Sequence, residues 1–292
     1  MSRRHVLIAG CGYVGQRLAL RLQARYDVTG LVRSAERVAE LARVGIPALA
    51  IDLDRVRAGV TIPERLDQEA ILYLTPPPVL GESDLRLDRF LQLATVPPRT
   101  FVYMSTTGVY GDTAGAIVDE SSAVQPRTDR ARRRVSAEEM TRVWCNERHV
   151  RRVVLRVPGI YGPDRLPMER LRRYEPVVRE REAGINNRIH VDDLVEACAR
   201  AIENPEARGV YNVTDGQPLS STAFINLVAK VARLPAPPQV SMEEAQLTFR
   251  PESLSFLNES RRVSNERMLK HLGVVLKYSD VERGIEASLG GL

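Results

Sequence analysis

The stretch His5-Val6-Leu7-Ile8-Ala9-Gly10-Cys11-Gly12-Tyr13-Val14-Gly15-Gln16-Arg17-Leu18-Ala19-Leu20-Arg21-Leu22 decides the fold. Its first five residues form an apolar run without polar alternation, the pattern of a strand covered on both faces. Three glycines follow, and then Val14, Leu18 and Leu22 fall on one helical face. A buried strand that passes through a glycine turn into an amphipathic helix is the opening of a strand-helix-strand unit. Further apolar runs of the same kind stand at Val28–Val32, Ala48–Ile51, Ile71–Leu74, Phe101–Met104 and Val153–Val157. Helical patterns lie between them at Ala35–Val44, Leu85–Ala94 and Val135–Glu147. Such repetition predicts parallel strands joined by right-handed crossovers, hence a doubly wound parallel α/β sheet.

After Val157 the alternation breaks at Pro158, Pro163, Pro167 and Pro176, and it recovers at Arg188–Glu203 and Val210–Val213. Pro235, Pro237 and Pro238 interrupt a more helical tail. The reading that follows is a Rossmann-type domain from residues 1–161 and 185–214, with a small C-terminal substrate lobe from 162–184 and 215–292. The lobe is expected over the carboxyl edge of the sheet, where open α/β folds bind ligands.

Composition narrows the function classes. No run approaches the roughly 20 apolar residues needed to cross a bilayer, so the chain reads as soluble and without a membrane partner. Arg3-Arg4 is followed by too short an apolar run for an export signal. Cys11, Cys145 and Cys198 are too few and too scattered for a disulfide framework or a metal site, which predicts a reducing, cytoplasmic setting and no metal. The net charge is +5, and 39 of the 42 basic residues are arginine. The cluster Arg127, Arg130, Arg132, Arg133 and Arg134 lacks the interleaved aromatic residues that a nucleic-acid surface uses. It reads first as a solvated helix start and second as a grip on phosphate. Arg165, Arg170, Arg172 and Arg173 lie in the expected lobe and are candidates for meeting an anionic substrate group.

In the turn Gly10-Cys11-Gly12-Tyr13-Val14-Gly15, the first glycine permits a tight turn, the second lets backbone approach a pyrophosphate, and the third lets helix pack on strand. The helix N-terminus then offers N–H groups and partial positive charge to the phosphates. The turn therefore predicts a dinucleotide cofactor. At the end of the second strand stand Val32, Arg33 and Ser34 rather than an acid. A carboxylate there would repel a 2′-phosphate, whereas Arg33 can pair with one, assisted by Ser34 and Arg37, so NADP is favoured over NAD. Asp52 is placed to accept from the adenine amino group, and Thr75 and Pro76 open a rigid loop passing the cofactor.

Further landmarks follow in order: Ser105-Thr106-Thr107-Gly108-Val109-Tyr110-Gly111, Leu155-Arg156-Val157-Pro158-Gly159-Ile160-Tyr161-Gly162-Pro163, Ile189-His190-Val191-Asp192-Asp193-Leu194 and Tyr211-Asn212-Val213-Thr214-Asp215. With the glycine turn, this series resembles the extended short-chain dehydrogenases/reductases, the NAD(P)-dependent epimerase/dehydratase family, over about residues 5–215. The resemblance implies a hydride-transferring enzyme acting on a sugar-like or nucleotide-linked small molecule. It also implies a homodimer through helices near Leu85–Ala94 and Val135–Glu147, with Thr106 hydrogen-bonding a substrate oxygen. Pro158 and Ile160 would pass close to the nicotinamide. The family's Tyr-x-x-x-Lys pair falls on Arg130 and Arg134, and no tyrosine in the chain has a lysine four residues on. Arginine cannot act as an acid or base near neutrality, its pKa lying above about 12, although it can stabilise an oxyanion. Tyr110, Tyr161 and His190 are the remaining titratable candidates, each with a structural role as the competing explanation. A non-catalytic NADP-binding sensor stands as the alternative to an enzyme.

Overall fold

The computed structural model describes residues 3–56, 60–63, 68–250, 254, 257 and 259–290. The segments 251–253, 255–256, 258 and 291–292 of the expected lobe lie outside the described residues. Seven parallel strands form the central sheet: β1 (His5–Ala9), β2 (Asp27–Val32), β3 (Ala48–Ala50), β4 (Gln68–Tyr73), β5 (Thr100–Thr106), β6 (Arg151–Val157) and β7 (Gly209–Asn212). Their order is β7-β6-β5-β4-β1-β2-β3, a doubly wound arrangement whose strand order reverses beside β1.

The unbroken apolar runs are explained by two cores, one on each face. Val6 and Ile8 of β1 enter one core while Leu7 and Ala9 enter the other. On β5, Val102 and Met104 divide from Phe101 and Tyr103 in the same way. Successive strand side chains point to opposite faces, so a strand covered twice is apolar on both faces along its middle, with polar residues such as His5, Thr100 and Ser105 at or near its ends. The first core is closed by α1 (Tyr13–Leu22) and α6 (Val191–Glu203), through Leu18, Leu22, Leu194 and Cys198. The second is closed by α3 (Leu85–Leu93) and α4 (Asp129–Glu147), through Phe90, Leu91 and Trp144. Between them in sequence lie α2 (Ala35–Arg43) and the short α5 (Met168–Arg172).

Helix α4 begins six residues before the Val135 that periodicity marks as its start. Thr128 Oγ1 accepts from the Ala131 N–H at 3.2 Å and caps it, so the whole arginine cluster from Arg130 to Arg134 is helical. The apolar period begins late because those arginines occupy the first turns.

A third apolar cluster gathers Tyr161, Leu171, Val177, Phe224, Ile225, Val228, Val281 and Ile285. It is built by α5, α7 (Ser221–Val231) and α9 (Val281–Leu289), with α8 (Met242–Thr248) nearby in sequence. Two-stranded pairings stitch this region to the sheet's carboxyl edge. Gly159–Tyr161 pairs with Arg188–His190, Ile185–Asn186 with Leu219–Ser220, and Ile117–Val118 with Arg262–Val263. The last pair brings residues far apart in sequence together beside the end of β5, and no periodic signal announces it. No helix among the described residues is long and apolar enough to cross a membrane.

Candidate functional site

Two cavities open at the carboxyl edge. The first, of about 310 Å³, lies at the reversal of strand order and is lined by Gly10, Gly12, Leu31–Arg33, Arg37, Ile51–Asp54, Thr75, Pro76 and Arg86. Its walls come mainly from the ends of β1, β2, β3 and β4 and the residues just past them, with Arg37 of α2 and Arg86 of α3. The three glycines of the turn are not equivalent, and only Gly10 and Gly12 line the cavity. Gly10 has φ +91°, and a Cβ there would stand 2.6 Å from the Thr75 backbone nitrogen. A Cβ on Gly15 would stand 2.8 Å from the Gly10 carbonyl oxygen. Protein packing alone therefore demands both. A Cβ on Gly12 would meet nothing within 4 Å, although its ψ of −141° at φ −95° lies outside the regions that other residues favour. No protein atom crowds that position, which leaves its backbone open to close approach by a ligand.

The helix starts carry the same signature. Asp84, Thr128, His190, Ser220, Ser241 and Asp280 each cap their helix with a side chain. α1 and α2 begin beside this cavity without a side-chain cap bond, although Ser34 stands at the N-cap of α2; α5 lacks one too, and α3, whose Arg86 also lines the cavity, is capped by Asp84. The first-turn N–H groups of α1 and α2 are left for an anion. Tyr13 does not line the cavity. Its hydroxyl donates to the Pro163 carbonyl at 2.7 Å, and its ring lies between the guanidinium groups of Arg17 and Arg165, at 4.0 and 4.7 Å. Tyr13 ties the glycine turn to the loop after Tyr161, and Val14 packs against the first core. Arg165 is thereby taken up in packing.

Arg33 is largely exposed and leans towards Asp52 and Asp54 at 3.6 and 3.5 Å. Asp54 is already held by Arg86 in a two-pronged pair, both distances 2.7 Å, which lowers its carboxyl pKa. Arg37 shares the cavity wall and pairs with Glu40. The expected cofactor residues Gly10, Gly12, Arg33, Asp52, Thr75 and Pro76 thus surround one space, and Arg86 and Asp54 join them without any signal in the local sequence.

The second cavity, of about 370 Å³, lies past β5 and β6. Thr106, Arg130, Arg134 and Pro158 line it together, with Asn186, Asn187, Arg188, Ser221 and Arg261. Thr106 Oγ1 accepts from the Gly108 N–H at 3.2 Å, capping a short turn and leaving its own O–H to donate. Arg134 donates to the Tyr103 hydroxyl at 3.1 Å and to the Met104 carbonyl at 2.9 Å, which fixes it to the end of β5. Arg261 pairs with Glu259 and donates to the Gly111 carbonyl. Arg188 lies over the Phe224 ring at 4.2 Å and donates to the Leu219 carbonyl at 3.1 Å. Burial pulls the Arg188 pKa down to about 10, and only Asp215, whose own carboxyl is pushed up to about 7 by burial, together with Tyr161, opposes it. Among the described residues no carboxylate lines this cavity.

The other titratable candidates lie elsewhere. The Tyr110 hydroxyl donates to Asn212 Oδ1 at 2.8 Å, and desolvation raises its pKa. Tyr161 is buried against His190 and Phe224, and burial raises its pKa as well. His190 caps α6 by accepting from the Asp192 N–H at 3.1 Å, its Nε2 lies 3.2 Å from Ser288 Oγ, and burial holds its pKa down at about 4. None of the three lines either of these two cavities.

Residues 6–214 match the NAD dependent epimerase/dehydratase family. The chain belongs to that family. A 3-diazoavenalumate denitrifying reductase from a Streptomyces species is 27% identical over 295 residues, covering 92% of this chain and 94% of that protein. A functionally unknown conserved protein from Silicibacter pomeroyi superposes with a TM-score of 0.82 at 30% identity, covering 99% of both chains. UDP-glucuronic acid 4-epimerase from Bacillus cereus, solved with NAD, superposes with a TM-score of 0.76 at 15% identity, covering 98% of this chain and 97% of that one. Within this epimerase/dehydratase family, the chain combines the dinucleotide-type glycine turn with an arginine at both positions where the Tyr-x-x-x-Lys pair is expected.

Proposed function

We propose that the chain is an NADP-dependent reductase that directs hydride onto a small anionic substrate. The observation that carries this reading is the makeup of the second cavity: four guanidinium groups and, among the described residues, no side chain that exchanges a proton near neutral pH. Epimerisation or dehydration of a sugar needs a protein group to take a proton, whereas hydride addition to an electron-poor carbon completes with a proton from water. The 27% identical relative is itself a reductase by name. Gly10, Gly12 and the uncapped start of α1 would hold the pyrophosphate, Asp52 the adenine, and the Thr75-Pro76 loop the adjoining cofactor edge. When bound, the dinucleotide supplies the hydride. Arg134 would stand beneath the nicotinamide ribose at the position expected of the family lysine. The Thr106 hydroxyl would donate to the substrate oxygen, and Pro158 would bound the ring. Residues 162–184 and 215–292 would form the substrate lobe, since Ser221 and Arg261 reach the cavity from that part of the chain.

Arg33 and Arg37 support NADP. The long, exposed contacts of Arg33 to Asp52 and Asp54 are worth little, so its guanidinium turns to a 2′-phosphate at small cost. NADPH is expected to bind at least about tenfold more tightly than NADH, and Arg33→Ala to erase that preference by weakening NADPH alone. Equal affinities in calorimetry would overturn the NADP assignment. If NADPH binds tightly but is not oxidised by any carbonyl or electron-poor compound, the same geometry serves a sensor. The groove between α3 and α4, lined by Leu91, Met140, Val143 and Trp144, would be the homodimer contact, and light scattering reads the mass directly. Three buried free thiols fit a reducing cytoplasm.

A further inference from the structure

The order β7-β6-β5-β4-β1-β2-β3 limits how an extended dinucleotide can lie along the carboxyl edge. With its pyrophosphate at the turn after β1 and its adenine end at Arg33 and Asp52, past β2 and β3, the opposite end runs across β4 towards β5 and β6, where the second cavity opens. The nicotinamide end is therefore the one that meets the four guanidinium groups. It is also the end that changes charge, because the oxidised ring is a cation and the dihydro ring is neutral.

The positive charge of that cavity is held by anchors that do not cancel it. Arg134 donates through Nη1 to the Tyr103 hydroxyl at 3.1 Å and to the Met104 carbonyl at 2.9 Å, and both acceptors are neutral. Tyr103 is fully buried, and desolvation pushes its hydroxyl up to about 12, so it keeps its proton. Arg188 likewise donates to a carbonyl, that of Leu219. Three carboxyls stand behind these side chains: Glu259 pairs with Arg261, Asp84 acts on Arg134 from the N-cap of α3, and Asp215 acts on Arg188. Burial raises the Asp84 carboxyl and brings that of Asp215 up to about 7, so Asp215 is only partly ionised at neutral pH. Glu138, at the end of β5, is already matched by Arg156. Four guanidinium groups are thus set against three carboxyls, none of which lines the cavity among the described residues. The space keeps a net positive charge, in surroundings where Coulomb interactions are stronger than in bulk water.

We infer that the second cavity distinguishes the two redox states of the dinucleotide, accepting the neutral dihydronicotinamide and repelling the nicotinamide cation, with Arg134 contributing most. This rests on the cofactor placement proposed above and holds for a reductase or a sensor. Hydride transfer carries two electrons and a proton from the dihydronicotinamide to the acceptor, so the acceptor gains the negative charge that the ring loses. While the product anion is bound, the cavity stays balanced. The repulsion acts on the oxidised dinucleotide alone, once the product has left.

The test is calorimetric titration of the full chain with NADPH, NADP⁺ and 2′,5′-ADP, which carries the adenine half and the 2′-phosphate without a nicotinamide. NADPH is expected to bind at least about tenfold more tightly than NADP⁺ at physiological ionic strength. Arg134→Met removes the charge and keeps an unbranched side chain beside Tyr103; it should shrink that ratio at least about threefold and leave 2′,5′-ADP affinity within about twofold. If the methionine variant fails to fold, Arg134→Asn and Arg134→Lys give the same comparison, the first shrinking the ratio and the second keeping most of it. Arg99 is exposed just before β5, at the opposite edge of the sheet. Arg99→Met loses the same charge and should leave the ratio unchanged, which separates the cavity from the net charge of the protein. NADP⁺ binding as tightly as NADPH, or an equal fall of the ratio in the Arg99 and Arg134 variants, would overturn the inference and leave the cofactor reading in place. Failure of all three nucleotides to bind would overturn the cofactor reading, and the inference with it.

Discussion

The glycine-turn cavity and the arginine cavity share one sheet edge, yet they are built by opposite means. Most of the first is built from strand ends: residues 10–12 after β1, 31–33 at the end of β2, 51–54 after β3 and 75–76 after β4, with only Arg37 and Arg86 added from helices α2 and α3. The second joins the end of β5, the start of α4, the residue after β6, a two-stranded pairing near Asn186, the first residue of α7 and Arg261 from the tail. The first is shaped by backbone and small residues. The second is shaped by long cationic side chains whose positions depend on partners distant in sequence. Parallel sheets hold their strand ends in a fixed layer, so a cofactor site made of stubs tolerates sequence change around it. A site made of side chains from several segments changes its chemistry with single substitutions, and this one carries Arg130 and Arg134.

The sharpest way to break this contrast is to remove support from the second cavity alone. Arg156 and Glu138 form a buried ion pair, with Nη2–Oε2 at 2.7 Å and Nε–Oε1 at 3.1 Å, and Ser105 donates to the same carboxylate beside Thr106. Glu138→Gln leaves Arg156 as an uncompensated buried charge and should cost about 3–5 kcal/mol in chemical denaturation. NADPH affinity should stay within about twofold, because no wall of the first cavity rests on that pair. A parallel loss of NADPH affinity in folded protein would show that the two cavities are one mechanical unit.

Asp215 gives a smaller effect with a pH signature. Burial pushes its carboxyl up to about 7, its Oδ2 has no hydrogen-bond partner, and Oδ1 accepts from the Gln217 N–H at 2.9 Å. The folded state binds this proton more tightly than the unfolded state, so Asp215 subtracts stability as pH rises from the ordinary carboxylate range to about 7, and fully above it. Asp215→Asn keeps the Gln217 contact and should gain about 3 kcal/mol at pH 8, a gain that fades towards pH 4. It should also tighten anion binding at Arg188 severalfold at pH 8, since the acid nearest in effect would no longer offset that charge. A variant no more stable than the parent at pH 8 would contradict the assignment.

The smallest expected effect separates function from stability in the first cavity. Arg33 is mostly exposed and its ion pairs are long, so Arg33→Ala should change stability by no more than about 0.5 kcal/mol in thermal denaturation while removing the preference for NADPH. A large stability loss would mean that Arg33 is a structural tie to Asp52 and Asp54.

The legibility of the two regions in sequence follows the same division. Gly10, Gly12, Gly15, Arg33, Asp52 and Thr75 could be picked out because strand ends can be counted, and the strands are marked by apolar runs buried on both faces. The end of β5 and the start of α4 are also countable, so Thr106, Arg130 and Arg134 could be placed near one another. Arg188 precedes the readable Ile189-His190-Val191 run but sits where three short pairings meet, and nothing periodic marks it. Arg261 reaches the cavity through the Ile117–Val118 and Arg262–Val263 pairing, whose two-residue strands lie below any pattern length. Asp54 and Arg86 meet through a tertiary ion pair and are equally silent. Tyr13 looks like part of the cofactor turn in sequence, but its side chain is spent on Pro163, Arg17 and Arg165, a contact that only the folded chain reveals.

Gly12 tests most directly whether the glycine turn holds a dinucleotide, because a methyl there would touch no protein atom. NADPH titration of Gly12→Ala, with its melting temperature measured alongside, is the decisive measurement. At least about tenfold weaker NADPH binding is expected in the folded variant, with the melting temperature lowered by no more than about 5 °C, since the backbone at Gly12 suits glycine best while the added methyl meets no protein atom and occupies the space the pyrophosphate would enter. Unchanged NADPH affinity in the folded variant would contradict it.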